Sequence, residues 1–189
     1  MPFVKSLKTN WQSDQTSRPQ SGFFYFLMPL TRTKVLTVSA LKKKLAALRR
    51  RKKTIAFTNG CFDILHWGHV SYLEAAKGKR NDRILVLGLN SDRSVRGLKG
   101  PGRPIVPQKE RARVLAALAC VDFVVLFNER TPLKLIQAIR PDVLIKGADW
   151  KDKGVAGGDI VKRVEFARYV DRLSTTNIIE KIKKTCVAR

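Results

Sequence analysis

The chain has 189 residues, and its 38 Lys and Arg against 15 Asp and Glu give a formal net charge of +23. This length suits one domain with a proper core, and a composition that is 44% hydrophobic excludes wholesale disorder. Cys61, Cys120 and Cys186 form no C-x-x-C pair, so a disulfide framework or zinc ribbon is not expected and a cytoplasmic location is favoured. No apolar run reaches the ~20 residues that a membrane span needs.

Positive charge on this scale is compatible with nucleic acid, an anionic membrane surface or phosphorylated substrates. It is densest at residues 42–44 and 49–53, where Leu41, Leu45 and Leu48 recur at helical spacing. We interpret this run as the solvated face of a helix that packs on the core. No interleaved aromatic residues accompany it, so nucleic-acid binding is not expected.

The predicted elements begin after an N-terminal extension, residues 1–33. Residues 1–27 show no periodicity, and Met28 is a candidate start; a domain is expected over residues 34–189. Strands are predicted at 54–58, 84–89, 121–127, 142–145 and 164–170. Helices are predicted at 68–77 and 108–119, from a hydroxyl cap at Thr131 followed by Pro132, and from about Asn177 with a capping box completed by Glu180. Residues 91–107 are predicted to form a loop.

Short unbroken hydrophobic strands that alternate with helices predict an α/β fold, a Rossmann-like, doubly wound parallel sheet of about five strands. Ligands of such folds bind beyond the carboxyl ends of the strands. The loops after the predicted strands are therefore the candidate binding loops.

The loop after the first predicted strand holds both histidines of the chain, His66 and His69. Gly60 is expected to allow a sharp turn, and Gly68 to allow a ligand close to the backbone at the start of a helix. Helix N-termini attract anions, and imidazoles three residues apart share a helix face. Two histidines supply too few ligands for a zinc site, whereas a purely structural pair that caps a turn stays open.

The string Thr58-Asn59-Gly60-Cys61-Phe62-Asp63-Ile64-Leu65-His66-Trp67-Gly68-His69 resembles the signature of nucleotidyltransferases with the "HIGH" motif. It is most similar to the bacterial D-glycero-β-D-manno-heptose 1-phosphate adenylyltransferases, which occur alone or fused to a kinase. The resemblance covers about residues 34–184 and includes segments at 89–92, 99–104, 110–111, 145–150 and 174–179.

This resemblance implies a single nucleotidyltransferase domain that transfers AMP from ATP to a phosphorylated sugar, supporting ADP-heptose and lipopolysaccharide synthesis. A separate heptose kinase is then expected to supply the sugar 1-phosphate. Mg²⁺ is expected on the phosphates and water rather than in a protein cage. No general base is needed, because the attacking phosphate is already ionised.

The resemblance also implies roles for individual residues. The catalytic set is His66, His69 and Lys99. The nucleotide-binding set, in which Thr58 and Asp63 shape the turn, is Thr58, Gly60, Phe62, Asp63, Gly68, Lys146, Gly147, Asp149, Ser174, Thr175 and Thr176. The set for the sugar phosphate is Asn90, Asp92, Arg103 and Arg111. Plainer alternatives are a basic surface loop for Lys99 and Arg103, a cation on a helix face for Arg111, and simple helix capping for Ser174, Thr175 and Thr176.

Other interpretations stay open. Asp171-Arg172-Leu173 stands where the family leads us to expect a glycine, which leaves the base specificity undecided. One alternative is a cytidylyltransferase that acts on glycerol 3-phosphate or a similar alcohol phosphate. Another is a non-catalytic relative that binds nucleic acid or a membrane surface. Assembly into a homo-oligomer also stays open.

Overall fold

The continuous apolar runs of the sequence form one parallel sheet covered by helices on both faces. The computed structural model describes residues 30–79, 82–167 and 174–187. The strands are β1 (Thr54–Gly60), β2 (Arg83–Asn90), β3 (Phe123–Phe127), β4 (Val143–Gly147) and β5 (Arg163–Ala167). The helices are α1 (Leu30–Lys34), α2 (Val38–Arg50), α3 (Trp67–Lys77), α4 (Asp92–Lys99), α5 (Gln108–Ala117), α6 (Leu133–Ile139) and α7 (Thr175–Val187), with a 3₁₀ turn at Ala148–Trp150.

The strand order is β3-β2-β1-β4-β5, with every neighbouring pair parallel. The chain moves outward from β1 to β3 and then returns to place β4 beside β1. The predicted doubly wound sheet of about five strands is therefore confirmed. In such sheets the ligand crevice opens where the strand order reverses, here between β1 and β4.

Two groups of buried side chains hold the layers together. On one face, Leu73 of α3 and Leu115 of α5 pack over the sheet. On the other face, Leu41 and Leu45 of α2 pack with Ile136 of α6 and are fully buried. Burial of each such side chain contributes roughly 1.5–3 kcal/mol. Residues 42–44 are exposed, as expected for the solvated face of an amphipathic helix.

The N-terminal part of the described chain docks on the β3 edge. The Lys34 ammonium donates to the carbonyls of Leu118 (3.1 Å) and Val121 (2.7 Å), and the Leu36 amide donates to Val124 (2.9 Å). Residues 30–33, assigned to the extension from sequence, belong to α1, and the rest of the extension lies outside the described residues. Within the described residues, no helix is both long enough and apolar enough to cross a membrane.

Three predicted element boundaries are wrong. The predicted loop at 91–107 contains α4, whose start is capped by the Ser91 hydroxyl. Helix α6 begins at Leu133, with Pro132 at its N-cap and no side-chain cap from Thr131. Helix α7 begins before Asn177, because Ser174 Oγ accepts a hydrogen bond (3.1 Å) from the Asn177 amide.

The two edge strands differ from the prediction in extent. Strand β3 begins at Phe123 rather than at residue 121. Strand β5 is described from Arg163 to Ala167, and the predicted continuation to residue 170 lies outside the described residues.

Candidate active site

The loop between β1 and α3 folds tightly around an aromatic ring. Phe62 and Ile64 adopt the left-handed region, with φ of 46° and 51°. A Cβ on Gly60 would lie 2.8 Å from the Phe62 ring. Gly60 therefore has to be small because Phe62 folds back over it, and not because it turns the chain: it is the last residue of β1.

His66 and His69 stand together at the start of α3. His66 is the N-cap, and the two imidazoles stack with centroids 3.8 Å apart and planes inclined by 23°. The Phe62 ring meets His69 edge-on at 5.2 Å. Among the described residues, Nδ1 of each histidine is buried without a hydrogen-bond partner. Two polar atoms are therefore buried at the start of α3 without a partner among the described residues.

Burial favours the uncharged form of both histidines. Burial lowers the pKa of His69 to about 4, and the neighbouring His66 adds to this shift. Burial also lowers the pKa of His66. A neutral imidazole carries one N–H donor. The His69 amide donates to the His66 carbonyl (2.9 Å), whereas the amides of Trp67 and Gly68 have no acceptor among the described residues. These groups suit the oxygen atoms of an anionic ligand.

Asp63 ties the histidine loop to two other segments. Its buried carboxylate accepts from Arg103 Nε (2.7 Å) and from the amides of Ile105 and Val106 (2.9 Å each). Burial raises the pKa of Asp63, but these hydrogen bonds outweigh it and the pKa is lowered overall. The Asp63 carbonyl accepts from Thr175 Oγ1 at 2.6 Å. Asp63 thus supports the loop with its carboxylate already engaged.

Side chains bridge the crevice where β1 and β4 separate. The two strands pair only through Ala56 and Phe57 on the β1 side, whereas β1 stays paired with β2 up to Gly60. Beyond that point the buried Thr58 hydroxyl contacts the Tyr72 hydroxyl (2.6 Å), which donates to the Ile145 carbonyl (3.2 Å). Thr58 therefore supports the crevice from inside the core.

Lys146 follows Ile145 on β4, one residue nearer the carboxyl ends of the strands. Its ammonium donates to Asn59 Oδ1 (2.5 Å) and lies 5.2 Å from the centre of the Trp150 ring. Burial lowers the pKa of Lys146 to about 8, against the opposing effect of Asp149. Because the partner of the Lys146 ammonium is the neutral side-chain amide of Asn59, its positive charge can still bind an anion. Gly147 is buried at the end of β4, and Asp149 is exposed in the turn that follows.

Three residues that the sequence assigned to the sugar phosphate also form an internal network. Asn90 donates to Ser94 Oγ at 2.9 Å, and Asp92 Oδ1 accepts from Arg111 at 2.7 Å. Asn90 and Arg111 are each only 2% exposed. Both side chains are therefore held inside the protein, and their contact with a sugar phosphate stays a prediction. The contacts of Arg111 were hidden from the sequence because Cys61 and Asn90 lie far from it along the chain.

A cleft of about 360 Å³ separates residues 99–105 from α7. Lys99 is the last residue of α4 and not part of a loop, and it lines this cleft with Arg103, Thr176 and Lys183. The bonds from Asp63 to Arg103 and to Thr175 place the cleft beside the histidine loop. The structure thus brings one candidate phosphate-binding cation and one helix start to the same edge as the histidines.

Sequence reasoning missed four residues of this region: Asn59, Cys61, Tyr72 and Trp150. Burial raises the pKa of the Cys61 thiol, and the nearby Lys99, Arg111 and Arg103 oppose that effect. A signal existed for Tyr72 alone, because it lies three residues after His69 and so on the same helix face. The others depend on pairing that only the fold reveals.

The site combines a crevice at the β1–β4 switch point of a doubly wound sheet with a His-x-Gly-His helix start. A family model described as Cytidylyltransferase-like matches residues 57–185. The chain belongs to this cytidylyltransferase-like family.

Curated relatives match most of the chain. "Bifunctional protein HldE" of Syntrophotalea carbinolica is 53% identical over 154 residues, which is 79% of this chain and 31% of that protein. The protein of the same name from Campylobacter fetus subsp. fetus is 57% identical over 140 residues, 74% of this chain and 30% of that protein. The chain thus spans about a third of the length of these relatives.

A solved structure shares the fold. It is described as the lipopolysaccharide core biosynthesis protein from Thermoplasma volcanium GSS1 and has a TM-score of 0.50 with 29% sequence identity. The match covers 62% of this chain and 96% of that one.

Proposed function

We propose that this protein transfers AMP from ATP to a sugar 1-phosphate, D-glycero-β-D-manno-heptose 1-phosphate, giving ADP-heptose and pyrophosphate. The observation that carries the proposal is the stacked His66–His69 pair at the start of α3, with buried Nδ1 atoms that lack a partner in the described structure. The similarity to the bifunctional HldE proteins supports the choice of substrates.

The reaction needs charge stabilisation more than proton transfer. An oxygen of the sugar phosphate forms a bond to the α-phosphorus of ATP while the bond from that phosphorus to the pyrophosphate oxygen breaks. A phosphate monoester has a second pKa of ~6, so the nucleophile is already ionised at neutral pH. The site must therefore hold several negative charges together and in line.

The chain supplies groups for each part of this task. His66 and His69 offer neutral N–H donors to the reacting phosphate, supported by the free amides at the start of α3. Lys99, on the edge of the cleft beside α7, offers a cation to the distal phosphates. Lys146 in the crevice offers a second cation on the nucleotide side.

The described side chains do not form a magnesium cage. No group of three or more His, Cys, Asp or Glu residues among them is placed to hold a metal ion, and the Asp63 carboxylate is already engaged. Mg²⁺ would arrive with ATP, held by phosphate oxygens and water.

The proposed partners follow from this chemistry. They are ATP, the phosphorylated sugar and a heptose kinase activity that supplies it, all in the cytoplasm. The family description leaves the nucleotide open, because a cytidylyltransferase that acts on an alcohol phosphate would use the same histidines. The test must therefore compare the two nucleotides directly.

A pyrophosphate-release screen of the purified protein makes this comparison. ATP and CTP are each paired with a panel of sugar 1-phosphates and with glycerol 3-phosphate. We expect ATP with a heptose 1-phosphate to exceed CTP by at least about tenfold in kcat/KM, or ~1.4 kcal/mol in transition-state binding. Equal use of CTP, or activity with glycerol 3-phosphate alone, would favour the cytidylyltransferase.

The histidines are tested in the same assay. His66→Ala and His69→Ala should each lower kcat by roughly 10²–10³, since each removes a preorganised donor to the transferring phosphate. Lys43→Ala is the matched control, because Lys43 is exposed on α2. Circular dichroism checks that each variant is folded. Near-normal kcat in both histidine variants would refute this site.

A further inference from the structure

Arg111 is a buried arginine that joins several binding loops. It lies in the first half of α5 with 2% of its surface exposed. Its guanidinium donates to the carbonyls of Cys61 (2.5 Å), Asn90 (3.0 Å) and Val106 (2.8 Å), and to Asp92 Oδ1 (2.7 Å). One side chain therefore satisfies four acceptors from three separate stretches of the chain.

Each of these acceptors lies at the base of a segment that carries a candidate site residue. Cys61 opens the loop that leads to His66 and His69. Asp92 opens α4, which ends at Lys99. Val106 ends the segment that contains Arg103. The contacts of Arg111 thus set the histidine loop against the segments that carry the cations.

Asp63 links the same two segments through its own hydrogen bonds. Val106 is bonded through its amide to Asp63 and through its carbonyl to Arg111. Asp63 belongs to the histidine loop, so this loop and residues 103–106 are linked twice. A simple ion pair with Asp92 does not account for this arrangement, because three of the four acceptors are backbone carbonyls.

Only a guanidinium has the shape for this junction. Its five N–H groups point outward in one rigid plane, whereas a lysine ammonium is a point charge on a flexible stem. Replacement by lysine keeps the charge but leaves buried carbonyls unsatisfied. The loops are then free to shift, and a shift of about 1 Å at such a site costs ~10² in rate.

We propose that Arg111 is a positioning residue that fixes the distance between the histidine loop and the Lys99–Arg103 segment, so that both hold the phosphates of one nucleotide. This inference rests on the proposed function in that it needs a nucleoside triphosphate as ligand. It assigns Arg111 a role without contact to substrate. It also predicts that Arg111 matters only to ligands long enough to reach both segments.

The test compares nucleoside tri- and monophosphates on Arg111→Lys by calorimetric titration, with the nucleotide that wild type prefers. The triphosphate Kd should rise at least about tenfold and kcat should fall ~10²-fold, while the monophosphate Kd changes less than about threefold. Arg113→Lys, exposed on the same helix, is the control and should match wild type. Measurements are made well below the Tm of each variant.

The outcomes separate positioning from general support of the fold. Wild-type triphosphate affinity and kcat in Arg111→Lys would overturn the proposal, and so would an equal loss of affinity for both ligands. If wild type itself binds neither ATP nor CTP, it is the proposed function that fails.

Asp92→Ala provides a second test if Arg111→Lys does not fold, because it removes the one side-chain acceptor of the four that Arg111 contacts, and the 25% exposed Asp92 side chain is easier to remove. We expect the same selective loss of triphosphate affinity, about threefold. Unchanged triphosphate affinity in this variant would contradict the proposal.

Discussion

At the scale of single residues, His69 links the site to the pH dependence of stability. Its pKa in the folded protein is about 4, because burial and the nearby His66 disfavour the charged ring. The unfolded chain has an ordinary histidine pKa of ~6.5 and so binds more protons between these two values. The contribution of uncharged His69 to the free energy of unfolding is thus fully present above pH 6.5 and is lost as the pH falls toward 4.

We therefore expect the free energy of unfolding to fall more steeply between pH 6.5 and 4 in wild type than in His69→Asn. The full difference corresponds to at most about 3 kcal/mol, and partial solvent access reduces it to roughly 1–2 kcal/mol. Urea unfolding at half-unit pH steps measures both curves. The difference between the two curves removes the contribution of the buried carboxylates, because these titrate in both proteins. Parallel curves would contradict the assignment.

At the scale of elements, the separation of β1 from β4 opens the crevice but leaves polar groups to satisfy. Tyr72 of α3 does so by bridging the Thr58 hydroxyl and the Ile145 carbonyl. Tyr72→Phe should lower the free energy of unfolding by about 1–3 kcal/mol, because it leaves the fully buried Thr58 hydroxyl without this partner.

A double-mutant cycle with Thr58→Val provides the control. Removal of both hydroxyls leaves no unsatisfied donor, so the double variant should be less destabilised than the sum of the single variants. We expect a coupling of at least about 0.5 kcal/mol by chemical denaturation. Additive effects would show that the hydroxyl contact does not hold the strands at this point.

The strands and helices differ in how well the sequence predicts them. The strands were predictable because both faces of the sheet are covered, which makes each strand a continuous apolar run. Helix α4 could not be predicted in the same way, because its few apolar positions, Val95 and Leu98, stand among glycine and basic residues. The position of α7 depended on which of several hydroxyl residues acts as the cap, and Ser174 does.

The histidine loop was predictable because its residues are contiguous. The contacts of Asn90 and Arg111 could not be predicted. They depend on groups up to 50 residues away in the sequence. A buried arginine and an exposed one look alike until the fold shows what surrounds them. Sequence reasoning thus predicted the contiguous histidine loop but not the charged residues that are bonded to it.

At the scale of the whole molecule, the net charge of +23 acts on substrates before they bind. Residues 42–44 are exposed lysines on α2. A cleft of about 400 Å³ at the amino ends of β1 and β4 is lined by Arg49, Lys52, Lys53, Lys162 and Arg163 together with Asp142. Such a field raises the rate of encounter with polyanions and is screened over ~8–10 Å at physiological salt.

We therefore expect kcat/KM for ATP to fall several-fold between 50 and 300 mM KCl, with kcat at saturation changing much less. The double variant Lys42→Gln and Lys43→Gln should have a shallower salt dependence and the same kcat, because both side chains are exposed on α2. Steady-state kinetics at five salt concentrations measures both. A kcat/KM independent of salt would exclude electrostatic steering.

The attachment of α7 has a consequence for local opening. Its side chains from residue 181 to 186 are exposed, and its start is tied to the histidine loop by the Thr175–Asp63 hydrogen bond of 2.6 Å. A helix that buries so little separates from the sheet at low free-energy cost, so its amides exchange with deuterium long before those of β1. A ligand held between the histidine loop and Thr176 would close that opening. The slowing of exchange in this one helix would report occupancy of the site without any turnover.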